Sequence, residues 1–336
     1  MEKITVVGTT AWGTTLAILL ANKYPGLYLL APTEAEATAL DRERINQKRL
    51  PGITFPSTLR VTAALDEAFE RCQLVVVAVP SQTMRRNIQN IKEFIPKSAI
   101  IMSASKGIEI DTGLRMSSII QSASGIDDTG RICVISGPNL SKEIAMGQPS
   151  ATVVACSSLE TAEGVRNAVM TNNFRAYSTT DVIGVELAGA LKNIIALGAG
   201  INDGWGYGYN SKAAFLTRGL AEITRLGIAA GANPLTFLGL AGLGDLVATS
   251  SSPLSRNRRV GEELAKGRSI GNILDELGSV AEGVPTTKAA RQLARELGVT
   301  MPITESMYKV LYEGYDIRLA ARELMEREPK SELEGL

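Results

Sequence analysis

Lys192 lies in the run Val185-Glu186-Leu187-Ala188-Gly189-Ala190-Leu191-Lys192-Asn193-Ile194-Ile195, which is apolar on nearly every side of a helix. Such a pattern marks a buried helix, not an amphipathic surface one. A solvated side chain, the ordinary role of a mid-helix lysine, fits poorly where almost no polar face exists. A buried ammonium must be paired or lose proton affinity, and either condition suits proton transfer near neutral pH. Gly189 sits one turn before Lys192 and Asn193 and leaves space beside both. The chain has no histidine. Acid–base work therefore falls to Lys, Asp, Glu, Tyr, Cys or water. A Ser-His-Asp hydrolase and a His-based 2-hydroxy-acid dehydrogenase are both excluded.

Two further groups could work with such a lysine. In Gly242-Leu243-Gly244-Asp245-Leu246-Val247-Ala248-Thr249, Asp245 can orient an ammonium, although capping a helix or turn is the ordinary role of an Asp so placed. In Leu254-Ser255-Arg256-Asn257-Arg258-Arg259, Ser255 is expected to cap a helix and aim its first N–H groups at an anion. Arg256 adds a planar fork suited to phosphate, with Arg258 and Arg259 expected to be solvated. Lys106, following Ser105, and Gly137-Pro138-Asn139 end apolar strands, and Asn139 is expected to cap the helix that follows. Gly204-Trp205-Gly206-Tyr207-Gly208 reads as a helix connection, not a phosphate loop.

Near the N-terminus, Gly8-Thr9-Thr10-Ala11-Trp12-Gly13 falls between a β-branched run and an apolar helical stretch. A dinucleotide loop needs its first glycine for a tight turn and its last for close helix–strand packing, and the helix N-terminus receives the pyrophosphate. Thr10 occupies the middle glycine position, putting a side chain where backbone should approach phosphate. The ribose acid expected about 20 residues later meets Ala31-Pro32-Thr33-Glu34. Glu34 is a candidate there that also suits a helix start. No arginine accompanies it, so NAD and NADP both remain open.

These groups need a frame. Apolar strand runs fall at residues 4–7, 27–31, 74–79, 99–102, 132–135 and 152–155, with helical patterns between them that include residues 12–21 and 34–46. Continuous apolar strands alternating with helices predict a parallel sheet covered on both faces, with ligands beyond its carboxyl edge. From residue 181 the pattern is helical without a convincing strand: 182–197, 211–226, 234–239, 256–266, 270–277, 286–297 and 303–312. The fold class is thus an α/β Rossmann-type doubly wound N-terminal domain over residues 1–180, followed by an all-α substrate and catalytic domain over 181–336. A chain of 336 residues accommodates two domains. The polar end, 326–336, is expected to fray.

Thirty-five basic and 35 acidic residues cancel, which argues against a nucleic-acid partner. Three cysteines without metal-like spacing, no uninterrupted apolar run of membrane-spanning length, and an N-terminus that enters a strand at once predict a cytoplasmic protein without a membrane partner.

Together the motifs are informative. The chain resembles the bacterial NAD(P)-dependent glycerol-3-phosphate dehydrogenase family over nearly its whole length. The resemblance rests on Lys106-Gly107-Ile108-Glu109, Ser136-Gly137-Pro138, Gly184-Val185-Glu186, Gly189-Ala190-Leu191-Lys192-Asn193, Thr217-Arg218-Gly219-Leu220, Gly242-Leu243-Gly244-Asp245-Leu246, Ser255-Arg256-Asn257-Arg258 and Val280-Ala281-Glu282-Gly283. It implies reversible oxidation of sn-glycerol 3-phosphate to dihydroxyacetone phosphate, supply of phospholipid synthesis, and a homodimer. Lys192 is then the proton donor or acceptor. Lys106, Gly137, Asn139, Asp245, Ser255, Arg256 and Asn257 surround the substrate, with Thr249 nearby. Ala11, Trp12, Pro32, Lys106, Ser141, Arg256, Val280 and Glu282 meet the dinucleotide, beside Gly8, Thr10 and Gly13 of the loop. Three departures from the family pattern are Thr10 for glycine, Pro32 where a basic residue often discriminates cofactors, and Asn139 for serine or threonine. The rival readings are a 3-hydroxy-acid or phosphogluconate dehydrogenase with a catalytic lysine, and a regulatory protein that senses a dinucleotide without turnover.

Overall fold

The computed structural model of the protein describes residues 1–278, 280–329 and 331–332. They form two compact units, one of Met1–Ser105 with Met116–Val182 and one of Lys106–Arg115 with Ile183–Leu336.

In the first unit, eight strands make one sheet: β1 (Ile4–Val7), β2 (Tyr28–Leu30), β3 (Arg60–Thr62), β4 (Leu74–Val77), β5 (Ile100–Ser103), β6 (Ile132–Ser136), β7 (Ser150–Cys156) and β8 (Phe174–Thr179). Their order is β3-β2-β1-β4-β5-β6-β7-β8. The helices between them are α1 (Ala11–Ala21), α2 (Glu34–Glu43), α3 (Leu65–Phe69), α4 (Met84–Ile91), α5 (Met116–Ser124), α6 (Ser141–Ala145) and α7 (Leu159–Val169). Consecutive residues Val75 and Val76 are both fully buried, so the sheet is covered on both faces as its unbroken apolar strands predict.

The expected all-parallel sheet needs one correction, because β6 and β7 pair antiparallel while every other pair is parallel. The link between them holds the five-residue α6, which does not carry the chain back along the sheet face. Two strands went unread in the sequence. β3 is a three-residue edge strand with no buried residue. In β8, buried Phe174 and Ala176 alternate with exposed Arg175 and Tyr177, a period of two that was available to be read. The helix expected over 34–46 stops at Glu43, because Arg44 takes a left-handed φ of 54° and its guanidinium binds the carbonyls of Pro56 and Leu59, each at 2.7 Å.

The second unit is helical: α8 (Val182–Gly204), α9 (Tyr209–Ala229), α10 (Pro234–Leu238), a π-helical turn over Leu240–Gly244, α11 (Asp245–Ser251), α12 (Arg256–Ala265), α13 (Ile270–Leu277), α14 (Gly283–Glu296), α15 (Pro302–Tyr312) and α16 (Ile317–Met325). No strand interrupts it among the described residues. α11 and α16 lie outside the helical segments expected from the sequence pattern. α8 has a mean hydropathy of 1.6 in its most apolar window, enough for a membrane span, but 89% of that window is buried within the protein. It is the core helix of this unit. A Cβ on Gly200 would meet Arg258 O at 1.9 Å, and one on Gly261 would meet Leu197 O at 1.9 Å, so α8 and α12 touch backbone to backbone. Of the tail expected to fray, residues 330 and 333–336 lie outside the described residues.

Candidate active site

Lys192 is buried at mid-α8, as its apolar surroundings require. Its Nζ lies 3.0 Å from Asp245 Oδ1, and it donates to Thr249 Oγ1 at 2.5 Å. Thr249 Oγ1 in turn donates to Asp245 Oδ1 at 3.1 Å. The second carboxylate oxygen, Asp245 Oδ2, accepts from Lys106 Nζ at 2.6 Å. Local sequence explains the placement of Asp245. The Leu240–Gly244 turn is wider than an α-helical one, and a Cβ on Gly242 would sit 2.1 Å from Phe237 O. Asp245 then opens α11, where the positive end of the helix dipole favours a carboxylate; Thr249 follows one turn on.

The electrostatics of the cluster are mixed. Burial pushes the Lys192 ammonium down to about 8, against the attraction of Asp245 and helped by repulsion from Lys106 and Arg256. The lysine therefore exchanges its proton near neutral pH, as a general acid and base must.

At the start of α12, Ser255 Oγ accepts from Arg258 N–H at 3.2 Å, confirming the expected cap. The first-turn N–H groups of residues 256 and 257 point out along the axis of this ten-residue helix, where its dipole favours an anion. Asn257 contributes differently from a side-chain ligand. Its Nδ2 donates to Asn193 Oδ1 at 2.8 Å and its Oδ1 accepts from Gly283 N–H at 2.9 Å. The side chain thus ties α12 to α8 beside Lys192 and to the start of α14, leaving its backbone N–H for an anion. Arg258 departs from expectation: it is held between Asp203, at 2.6 Å, and Glu262, at 2.8 Å, and is not solvated. Arg259 is exposed, as expected.

In the sheet unit, Gly8 has φ +105°, and a Cβ there would meet Ala78 O at 2.8 Å; one on Gly13 would meet Gly8 O at 2.1 Å. Both glycines are required by close backbone approach. Thr10 does not obstruct the turn as a free side chain would. Its hydroxyl caps α1 by accepting from Gly13 N–H at 3.0 Å and donates to Ala78 O at 2.7 Å. The cradle and the α1 N–H groups at Ala11 and Trp12 fit a dinucleotide pyrophosphate. Glu34 is exposed and opens α2, whose cap is Thr33. The acid beside the loop is Glu36, which accepts from Thr9 Oγ1 at 2.5 Å. Asn46 also escaped notice in the sequence; it is buried, and its Nδ2 donates to Thr9 O at 3.0 Å and Thr14 Oγ1 at 2.9 Å. Neither is close to the loop in sequence, and only the fold brings them there.

The remaining candidates divide between the units. Pro32 is exposed just after β2, and Ser141 begins α6, its carbonyl accepting from Thr15 Oγ1 at 3.2 Å. Gly137 follows β6 with φ +151°. Asn139 is not a helix cap, because α6 begins two residues later with Leu140 in the cap position; its Nδ2 donates to Thr152 Oγ1 at 3.2 Å and its buried Oδ1 has no hydrogen-bond partner. Val280 is exposed, and Glu282 occupies the cap position of α14. The structure thus gathers Lys106, Lys192, Asp245, Thr249, Ser255, Arg256 and Asn257 in the helical unit with Val280 and Glu282, and keeps Gly137, Asn139 and the glycine loop in the sheet unit.

Residues 3–162 match the profile of the NAD-dependent glycerol-3-phosphate dehydrogenase N-terminus, and residues 181–322 that of its C-terminus. A glycerol-3-phosphate dehydrogenase [NAD(P)+] of Dehalococcoides mccartyi is 51% identical over 336 residues, covering 100% of this chain and 94% of that protein. One from Citrifermentans bemidjiense is 48% identical, covering 98% and 99%. The crystal structure of glycerol-3-phosphate dehydrogenase from Coxiella burnetii superposes with a TM-score of 0.91 at 33% identity, covering 97% of this chain and 99% of that one. With both halves matched and relatives about half identical along its length, the chain belongs to the NAD(P)-dependent glycerol-3-phosphate dehydrogenase family.

Proposed function

We propose that the chain interconverts sn-glycerol 3-phosphate and dihydroxyacetone phosphate, with residues 1–180 supplying most of the NAD or NADP site and 181–336 supplying Lys192 and most of the substrate contacts. The observation that carries this reading is the buried Lys192 held between Asp245 and Thr249. Bound dinucleotide supplies a hydride donor or acceptor. As the C2 carbonyl of dihydroxyacetone phosphate is reduced, its oxygen gains negative charge. The Lys192 ammonium stabilises that charge and delivers the proton. In the reverse direction the neutral amine takes the proton from the hydroxyl. Asp245 fixes Lys192 and Lys106 together, and Lys106 adds a second positive contact for the oxygen.

Arg256 and the α12 N-terminus hold the phosphate, whose binding energy orients the reacting carbon. Gly137 and Asn139 complete the substrate contacts. The dinucleotide is held by Gly8, Thr10, Ala11, Trp12, Gly13, Pro32, Lys106, Ser141, Arg256, Val280 and Glu282. The product would serve glycerophospholipid synthesis, and the enzyme would act as a cytoplasmic homodimer without nucleic-acid or membrane partners. The balanced charge of 35 basic and 35 acidic residues supports the lack of a nucleic-acid partner.

Steady-state rates with dihydroxyacetone phosphate, run with NADH and NADPH side by side, test the reading. Saturable oxidation of either cofactor is expected. Turnover of a 3-hydroxy acid or a phosphogluconate in its place would contradict it.

A further inference from the structure

The segment Lys106–Arg115 packs with the helical unit although it lies between β5 and α5 in sequence. It closes on itself: Ile108 and Arg115 form an antiparallel bridge, and Glu109 N–H donates to Leu114 O at 3.0 Å while Gly113 N–H donates to Glu109 O at 2.9 Å. Thr112 Oγ1 adds a bond to Glu109 Oε2 at 2.5 Å. Lys106 at one end reaches Asp245. At the other end the Arg115 guanidinium pairs with Glu186 of α8, whose side chain is 5% exposed. Glu186 belongs to the run Gly184-Val185-Glu186, to which none of the roles above is assigned.

We infer that the Arg115–Glu186 ion pair positions Lys106, pinning the 106–115 loop to the helix that carries Lys192 so that Lys106 meets the carboxylate shared by both lysines. A lysine is a point charge on a flexible stem, so its placement depends on where its backbone is anchored. Ile108, two residues from Lys106, is bridged to Arg115, which transmits the anchor. Glu186 and Arg115 thus act on turnover through Lys106, without touching substrate. This inference rests on the assignment of Lys106 to the substrate in the proposed reaction.

The test uses the full-length protein and dihydroxyacetone phosphate reduction, with Glu186→Gln made alone and in a Lys106→Met background. The single variant is expected to lose about tenfold to a hundredfold in kcat for dihydroxyacetone phosphate reduction at saturating dinucleotide. In the Lys106→Met background the same substitution should cause almost no further loss. Arg115→Lys should retain more activity than Arg115→Gln. Unchanged kcat in Glu186→Gln, or an equal loss in both backgrounds, overturns the positioning role while the wild-type activity stands. A wild-type protein inactive on dihydroxyacetone phosphate overturns the functional assignment and this inference with it. Should Glu186→Gln fail to fold, Arg115→Gln, altered at the more exposed end of the pair, carries the same comparison.

Discussion

Asp245 meets Lys192 at 3.0 Å with both side chains nearly sealed from water, 3% and 6% exposed. Its second oxygen takes Lys106 at 2.6 Å, so one carboxylate serves two ammonium groups. Such a cluster favours an incoming negative charge, and low local polarity strengthens the effect. Burial outweighs the attraction of Asp245 at Lys192 and leaves its pKa at about 8.

The direction of pH dependence follows. Reduction needs Lys192 protonated, so kcat for dihydroxyacetone phosphate should fall as pH rises through about 8. Oxidation of glycerol 3-phosphate needs the neutral amine and should rise through the same range. Asp245→Asn removes the attraction that supports the charged form, so both limbs should move to lower pH as turnover slows. Profiles measured in both directions at saturating cofactor provide the check; limbs that stay in place in the variant would show that Asp245 does not govern this proton.

Arg256 is assigned to the phosphate, not to the reacting carbonyl. Arg256→Ala should lower kcat/KM for dihydroxyacetone phosphate by roughly a hundredfold, about 3 kcal/mol of lost charged hydrogen bonding. At saturating dinucleotide, which Arg256 also helps to hold, turnover of unphosphorylated dihydroxyacetone, slow in both proteins, should change by no more than about threefold. A comparable loss on both substrates would assign the arginine to something other than the phosphate.

Thr10 ties the glycine turn together through Gly13 and Ala78. Thr10→Val keeps the shape and removes both bonds, so it should destabilise the protein by about 1–2 kcal/mol. Denaturant unfolding gives that figure, and titration with reduced dinucleotide should show affinity within about threefold of wild type, because the hydroxyl faces the protein. Unchanged stability with sharply weaker binding would mean that the hydroxyl serves the ligand.

Periodicity revealed the sheet's central strands and most helices, because β1 and β4 are unbroken apolar runs and α8 is apolar all round. β3 was hidden because three half-exposed residues carry no pattern. α11 was hidden behind the glycines at 242 and 244, which break the helical pattern but form a π-helical turn that delivers Asp245. Within the candidate site, Lys192 stood out by its local surroundings alone. The pairings of Asn257 with Asn193, Arg258 with Asp203 and Glu186 with Arg115 did not, since each joins residues more than fifty positions apart in sequence. Local pattern identifies a buried charge; only the fold identifies what neutralises it.

The most direct measurement is the rate of dihydroxyacetone phosphate reduction by Lys192→Met beside its affinity for reduced dinucleotide. Loss of a general acid predicts kcat lower by about a thousandfold, with dinucleotide affinity within about threefold of wild type. Turnover within a few-fold of wild type would contradict the central claim that Lys192 delivers the proton.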